Sequence, residues 1–355
     1  MKSGNPTWTW IAPLGAVGVL ALSFLFPHPA TKGLAALALA FAVFSAVHHA
    51  EVIAHRIGEP FGTLVLAVAV TVIEVALIVS LMLAGGPEKA GLARDTAFAA
   101  IMIAGNGIVG LCLLVGGVRH HEQGFQVRGA SAALAVLAAL SVMTLVLPNH
   151  LVATPGPTLS ASQLGFEGVV SLVLYLTFVF VQTVRHRDYF LAESAGEDHA
   201  EAPSTGAAIA SLALLLVALV AVVGLAKVLS PVVEAMVAEA GAPVAVVGIV
   251  ISMVVLLPEA LAALRAARKN QLQNSLNLAL GSALASIGLT IPAIAVVSLV
   301  FAKPLELGIS AKDTVLLALT LVVSVLTLGT GRTTVLQGVV HLTILAAYLF
   351  LAVVP

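Results

Sequence analysis

The feature that most restricts the fold is a series of long apolar runs separated by short polar breaks. The run from Phe61 to Ala84 holds 24 residues and only one charged residue, Glu74. At about 1.5 Å per residue, a helix of that length is about 36 Å long and can cross a bilayer. Because the runs do not alternate apolar with polar residues, they predict helices rather than the strands of a membrane barrel.

Eleven runs of this kind are present, and the sequence therefore predicts an all-α membrane protein with about 11 transmembrane helices. Only 9% of the residues are charged, against about 25% in soluble domains. The first run has a weakly basic start, two tryptophans at one edge and no convincing small-x-small cleavage site, so we interpret it as a membrane helix and not as a signal peptide. The expected spans are 8–26, 33–54, 61–84, 96–118, 129–147, 166–184, 206–229, 243–264, 274–301, 313–329 and 334–353.

Charge and cysteine content point away from other classes of protein. The net charge of −1 produces no global field that would attract nucleic acid. The single cysteine, Cys112, lies inside an apolar run, supports no disulfide and is expected to serve packing. The chain has no GxxxxGK[ST] motif for ATP, so a pump is not expected.

Lysine and arginine predict the orientation in the membrane. With the N-terminus in the cytoplasm, ten of these residues face the cytoplasm and six face outward, and basic residues favour the cytoplasmic side. The sequence therefore predicts a cytoplasmic N-terminus and an external C-terminus. The polar break from Arg185 to Gly206, with five acids, is then cytoplasmic.

An internal repeat divides the chain at that break. The segment "EVIAHRIGEP" from Glu51 and the segment "EAMVAEAGAP" from Glu234 place Glu, Gly and Pro at identical offsets. Each segment leads into an apolar helix with a lone acid, Glu74 in the first and Glu259 in the second. The predicted parts are an N-terminal helix (1–32), a five-helix repeat (33–184), an acidic linker (185–205) and a second five-helix repeat (206–355).

Five helices is an odd number, so the second copy must insert upside down relative to the first. Inverted repeats are the architecture of secondary transporters, whose substrates bind near the bilayer midplane between the repeats. We therefore expect Glu74 and Glu259 to meet near the bilayer centre and to form a hard-oxygen metal site for a divalent cation such as calcium. Burial and mutual repulsion favour the protonated acids when no cation is bound. The site would then switch sides only when it holds metal or protons, which is a rule for exchange.

The motifs in and around these two helices resemble a known family. "HRIGEPFGTLVLAVAVTVIEVALIVS", "NGIVGLCLLVGGVRHHEQ" and "LLPEALAALRAARKNQLQNSLNLALGSALASIGLTIP" are similar to the bacterial Cha-type calcium:proton antiporters of the calcium:cation antiporter superfamily. The resemblance implies eleven helices with a two-repeat core, in a bacterial inner membrane. It also implies cation efflux driven by proton influx, with Glu74 and Glu259 binding the ion. Bacterial members of this branch are associated with sodium or potassium exchange as well as calcium.

Four uncharged polar residues are candidate neighbours of the ion. Wider relatives have a Gly-Asn pair before each glutamate, whereas this chain has "VAVTVIE" and "SMVVLLPE", so Thr71 and Ser252 can supply the oxygens there. Their spacings place both hydroxyls on the face of the acid, although each could instead bond its own helix carbonyl. Asn106 and Ser282 lie in Gly- and Ala-rich helices and either line the ion path or serve close helix packing.

A second group of residues lies near the predicted cytoplasmic end. His48, Glu51 and His55 share one helical face, and Glu51 repeats as Glu234 without histidines. We interpret Glu51, Glu234 and His55 as ion-access residues, with His55 also suited to sensing pH. The alternatives are a solvated helix end or a tight metal site. The acidic stretch from Glu193 to Glu201 is either a solvated linker or a regulatory cation-attracting segment.

The leading hypothesis is a secondary active antiporter that needs no cofactor, with calcium and protons as its substrates and the lipid bilayer as its surroundings. A sodium or potassium:proton antiporter is the first alternative. An intramembrane metal-dependent hydrolase using His48, His49, Glu51 and His55 is a remote one, and no HExxH motif supports it. A channel is a third, but no selectivity-filter loop is present. The sequence leaves a homo-oligomer open.

Overall fold

The computed structural model describes residues 6–26, 28–58, 61–84, 89–191, 203–239, 241, 243–301 and 305–354. Within these ranges the protein is all-α, as predicted, apart from one two-residue ladder and one isolated bridge. The α-helices are α1 (Thr7–Leu25), α2 (Pro29–Ile57), α3 (Phe61–Ala84), α4 (Leu92–Met102), α5 (Val109–His120), α6 (Val127–Ser141), α7 (Ala161–Phe180), α8 (Thr205–Glu239), α9 (Ala245–Arg268), α10 (Leu272–Ala285), α11 (Ile291–Phe301), α12 (Ala311–Leu328) and α13 (Val335–Val353).

Short segments of other geometry complete the secondary structure. Strand β1 (Gln123–Gly124) pairs antiparallel with β2 (Arg332–Thr333). In the described ranges the π-helical segments are π1 (Ile103–Ile108), π2 (Val142–Val146), π3 (Val181–Arg185) and π4 (Ser286–Thr290), and the chain forms 3-10 turns at Leu147–His150 and Arg187–Phe190. Because π1 joins α4 to α5 and π4 joins α10 to α11, each pair forms one continuous membrane-crossing helix.

The number of spans confirms the predicted all-α membrane fold with about 11 helices. In the described part of the chain, ten helices are long and apolar enough to cross a bilayer, and a shorter apolar segment, Ala67–Met82, lies within α3. The acidic stretch of the predicted linker, Glu193 to Glu201, lies outside the described residues.

Several helices extend beyond the expected spans. Helix α7 starts at Ala161, five residues before the predicted boundary, because Ser160 and Gln163 form a capping box over its first turn. Helix α8 continues past Pro231 to Glu239. Hydropathy marks the apolar part of a helix, whereas capping side chains decide where the helix begins.

Contacts group the chain into two compact units. Unit 1 comprises residues 1–89 and 199–247, and unit 2 comprises residues 90–198 and 248–355. Each unit combines helices from both halves of the sequence. The units therefore do not coincide with the two predicted five-helix repeats, whose boundaries stay a prediction.

Unit 1 contains α1, α2, α3 and α8, and a buried histidine joins three of them. His49 of α2 lies 2.9 Å from the Thr9 carbonyl oxygen of α1 and 3.2 Å from the Ser211 hydroxyl of α8. The Ser45 hydroxyl donates to the same Thr9 carbonyl at 2.9 Å. A histidine that is satisfied on both ring nitrogens ties helices together, and this is the role that the structure gives His49.

Unit 2 contains the remaining helices, with the two continuous helices that carry π1 and π4 among its most buried elements. Helix α10 packs against π1, α5 and α6, while α13 packs against α5 and π1, and α7 against α11 and π4. Proline accounts for π4, because Pro292 has no amide hydrogen to give the carbonyl four residues earlier, that of Gly288.

Candidate functional site

The acid of unit 1 lies deep in the protein. Glu74 of α3 is 2% exposed, and α3 packs against α2 and α8. Thr71, one turn earlier, is also buried, and its hydroxyl has no hydrogen-bond partner among the described residues. Such hydroxyls usually bond the carbonyl four residues before them. Thr71 therefore has an oxygen available for a ligand on the same helix face as Glu74.

The acid of unit 2 lies in α9, directly after a proline. Glu259 is 8% exposed. Pro258 lies inside the helix and cannot donate to the carbonyl of Val254, one turn earlier. A carboxylate and a free backbone carbonyl thus occur within two turns of each other on α9, and both are oxygen ligands that hard cations prefer.

Ser252 anchors α9 to α4. Its hydroxyl donates to the Thr96 carbonyl at 2.8 Å. Gly248, one turn earlier, makes the close approach possible, since a methyl group there would lie 2.9 Å from the Thr96 amide nitrogen. At the far end of α9, the Arg268 carbonyl lies 3.1 Å from the His120 ring of α5. Helix α9 therefore runs parallel to the α4–π1–α5 helix, with Glu259 between these contacts.

We predict that Ser252→Ala weakens this helix contact more than it weakens ion binding. The Ser252 hydroxyl holds α9 against α4 through its hydrogen bond to Thr96, and losing one buried hydrogen bond costs about 1 kcal/mol. The thermal midpoint of the detergent-solubilised variant should fall by a few degrees, while the apparent affinity for the cation should change less than threefold. A tenfold loss of affinity at unchanged stability would instead make Ser252 an ion ligand.

Helix α10 brings Ser282 to a depth near that of Glu259. The Ser275 hydroxyl of α10 donates to the Ala263 carbonyl of α9 at 2.7 Å, which fixes the register of this antiparallel pair. Counting along both helices from that contact, Ser282 and Glu259 differ in height by three residues, or about 4–5 Å. Ser282 is half-buried.

Asn106 lies in π1, fully buried and flanked by Gly105 and Gly107. Its amide nitrogen donates to the Thr320 hydroxyl of α12 at 2.9 Å, and its amide oxygen lies 3.0 Å from the His341 ring of α13. π-helical segments inside α-helices occur frequently at functional sites. In unit 2, Asn106 lies on π1, Ser282 on α10 and Ser252 on α9. Helix α10 contacts both π1 and α9.

The predicted ion-access residues Glu51 and His55 do not share the burial of the two acids. Glu51 and His55 are exposed on the last turns of α2. The side chain of Glu234 lies outside the described residues. Over the ranges that the structure describes, no group of three or more His, Cys, Asp and Glu residues could hold a metal ion, so the tight metal site considered near His48 has no support there.

The structure brings the predicted site residues together in two sets. Thr71 and Glu74 share α3 of unit 1, and Ser252, Glu259 and their neighbours belong to unit 2. The prediction that the two acids meet at the bilayer centre stays a prediction.

Glu167 and His341 of unit 2 are buried and titratable, and neither is among the predicted site residues. Glu167 of α7 accepts a hydrogen bond from Thr144 at 2.6 Å and one from Ser171 at 3.4 Å. His341 is the seventh residue of α13, as Glu167 is of α7. Glu167 was a charged residue at the very edge of a predicted span, and His341 a polar residue near the start of another. Both residues stand out in the sequence. The predicted spans, however, begin close to them, so they were expected near the membrane surface and not inside the protein.

Comparison with known proteins gives one consistent result. The family described as sodium/calcium exchanger protein matches residues 29–184 and 210–354. The chain is 50% identical over 358 residues to y4hA of Sinorhizobium fredii, which is described as an ionic transporter, covering 99% of this chain and 97% of that protein. It is 35% identical to the sodium-potassium/proton antiporter ChaA of Escherichia coli, over 89% of this chain and 87% of ChaA.

Solved structures show the same fold. The structure of native YfkE, a Ca²⁺/H⁺ antiporter, covers 98% of this chain and is itself matched over its full length, with a TM-score of 0.75 and 15% sequence identity. Identity at that level establishes the architecture and leaves the transported ion to be argued from the residues.

Proposed function

The chain belongs to the sodium/calcium exchanger protein family, and from that premise we propose that it is a proton-coupled cation antiporter in which Glu74 and Glu259 bind the exchanged ions. It is an integral membrane protein of the antiporter class and not an enzyme. The observation that carries the proposal is the burial of Glu74 in the apolar helix α3 of unit 1 and of Glu259 in the membrane-crossing helix α9 of unit 2, at 2% and 8% exposure. Ionisable residues at such depth are expensive, and they mark ion and proton pathways.

The exchange follows from the cost of an empty, charged site. A buried carboxylate is stabilised by a bound cation or by a proton. Without either, the burial of its negative charge costs a large desolvation free energy. A transporter whose acids must be occupied cannot change conformation while empty. Movement of cation in one direction then requires movement of protons in the other.

Calcium is the cargo that the donor chemistry favours. Two carboxylates supply two negative charges and several oxygens, and calcium takes six to eight oxygen ligands. The Thr71 hydroxyl of α3, the Val254 carbonyl of α9 and the Asn106 amide oxygen of π1 are the further oxygen ligands of this proposal. With calcium, two protons balance the charge of one ion.

Sodium or potassium is the second candidate. The observation that favours it is the 35% identity to ChaA, which is a sodium-potassium/proton antiporter. A monovalent ion would leave one of the two acids to carry a proton throughout the cycle, so the two candidates differ in the number of protons moved per cation.

Purified protein in liposomes tests the proposal. An acidic lumen is imposed, a trapped pH dye is followed, and calcium, sodium and potassium are added outside in turn. We expect calcium to raise the luminal pH, at a rate proportional to the amount of protein. Proton movement with sodium or potassium alone selects the second candidate, and a response to none of the three overturns the proposed function.

The orientation proposed here places the N-terminus in the cytoplasm of a bacterial cell. The excess of basic residues on that side supports it. A single cysteine introduced between residues 192 and 202, in a Cys112→Ser background, should react with an impermeant thiol reagent in inverted vesicles and not in intact spheroplasts. The reverse pattern would invert the topology.

A further inference from the structure

The amide of Asn106 can help or hinder a cation, depending on which way it points. Its oxygen attracts positive charge, whereas its two N–H groups repel it. The surrounding hydrogen bonds decide the orientation, and they come from Thr320 and His341 of unit 2, neither of which binds the ion in the proposed function.

Thr320 fixes the nitrogen end of the amide. The Thr320 hydroxyl donates its own hydrogen to the Leu316 carbonyl at 2.8 Å. Its oxygen must therefore accept the hydrogen bond from Asn106 Nδ2 at 2.9 Å. The Met102 sulfur lies 3.8 Å from the same nitrogen, one turn earlier in the helix. The nitrogen therefore faces α12 and its own helix.

His341 fixes the oxygen end. The Asn106 oxygen can only accept, so the His341 Nδ1 atom, 3.0 Å away, must carry the hydrogen of that bond. The other ring nitrogen, Nε2, lies 3.2 Å from the Thr327 hydroxyl, which can donate to it. His341 is fully buried, so these contacts hold the ring in one tautomer and one orientation.

We propose that His341 is a positioning residue for cation binding: its Nδ1–H holds the Asn106 amide with the oxygen available to the ion. The inference rests on the proposed function, since it takes Asn106 as part of the ion path. A carbonyl oxygen has two lone pairs, so one accepts from His341 while the second remains for the cargo. Hydrogen bonds that orient a ligand in this way typically contribute 10- to 100-fold to metal affinity.

Two replacements of His341 separate the two ring nitrogens. Asparagine places an amide N–H near the position of Nδ1 and keeps the bond to Asn106, while glutamine reaches toward Thr327 and loses that bond. In the liposome assay we expect His341→Asn to keep the KM for the cation within about threefold of the wild type. For His341→Gln, KM should rise roughly tenfold with kcat within about twofold.

The outcomes distinguish the inference from the function on which it rests. Equal KM values for the two variants, or a loss of kcat and thermal stability in both without a change in KM, would overturn the role of His341 alone. A wild-type protein that exchanges no cation would overturn the proposed function as well.

A second pair of variants covers the case in which His341 variants do not fold. Thr320→Val removes the acceptor that holds the nitrogen end, and Thr320→Ser retains it. We expect a raised KM for valine and a KM near the wild-type value for serine. Identical KM values for valine and serine would show that amide orientation does not govern binding.

Discussion

Replacing either Glu74 or Glu259 with glutamine should slow cation-dependent proton movement by at least about 100-fold, because these acids carry the exchanged ions in the proposed function. Glutamine preserves the size of the side chain and its acceptor oxygen but removes the negative charge and the proton-binding site. A divalent cation would then face one carboxylate instead of two in a low-dielectric setting, where each charge contributes far more than in water. The measurement is the pH-dye assay in liposomes at matched protein density.

Two control variants separate a site acid from a buried acid of another kind. Glu167→Gln keeps an oxygen that accepts from Thr144, and Glu122→Gln changes a loop residue whose side chain is 50% exposed beside Arg332. We expect both to retain exchange within about threefold. If Glu167→Gln is as inactive as Glu74→Gln, the loss reflects the removal of any buried acid, and the assignment of Glu74 and Glu259 fails.

The double variant tests whether the acids act as one unit. Residues that act together give non-additive losses, so Glu74→Gln with Glu259→Gln should be no slower than either single variant. Two independent sites would instead leave residual transport in each single variant and lose it fully only in the double variant. Substantial exchange in either single variant would contradict the proposed mechanism.

The helices and their acids could be predicted from the sequence because both depend on local composition. An apolar run long enough to cross a bilayer has almost no alternative to a helix, since its backbone groups must bond internally. A single charge in such a run, as at Glu74, is conspicuous for the same reason. The all-α membrane architecture and the family were therefore accessible before any coordinates.

The polar contacts between helices could not be predicted, because they depend on which faces meet. Ser252 has the right spacing to share a face with Glu259, yet its hydroxyl bonds the carbonyl of Thr96 in α4, 156 residues away in sequence. The His341 contact with Asn106 joins residues 235 positions apart. Periodicity gives the direction of a side chain on its own helix and says nothing about the partner that lies there.

The π-helical segments could not be predicted from the sequence either. In π4 the cause is local, since Pro292 removes one donor, but the same proline could have produced a kink or a helix end. In π1 no proline is present, and Gly105 and Gly107 supply only permissive backbone. Helices α10 and α13 pack against π1 where its backbone departs from α-helical geometry. Such packing cannot be inferred from the sequence of one helix.

Gly338→Ala should prevent unit 2 from packing correctly, because α13 and α5 touch through their backbones at this residue. A methyl group on Gly338 would lie 2.5 Å from the Leu114 amide nitrogen and 2.9 Å from the Gly110 carbonyl oxygen. Backbone atoms cannot rotate away as side chains do, so the helices must separate. Overpacking of this kind typically costs 1–3 kcal/mol and more where backbone must move. Separation would also pull His341, three residues later, away from Asn106.

We therefore expect Gly338→Ala to lower the thermal midpoint in detergent by about 10 °C or more, or to leave no monodisperse protein on size-exclusion chromatography. The matched control is Gly165→Ala in α7, where a methyl group would have no atom within 4 Å. There alanine should be neutral or stabilising by up to about 1 kcal/mol, since it favours the helix more than glycine does. If the two variants unfold at the same temperature, α13 does not approach α5 as closely as the structure shows, and the positioning of Asn106 by His341 loses its geometric basis.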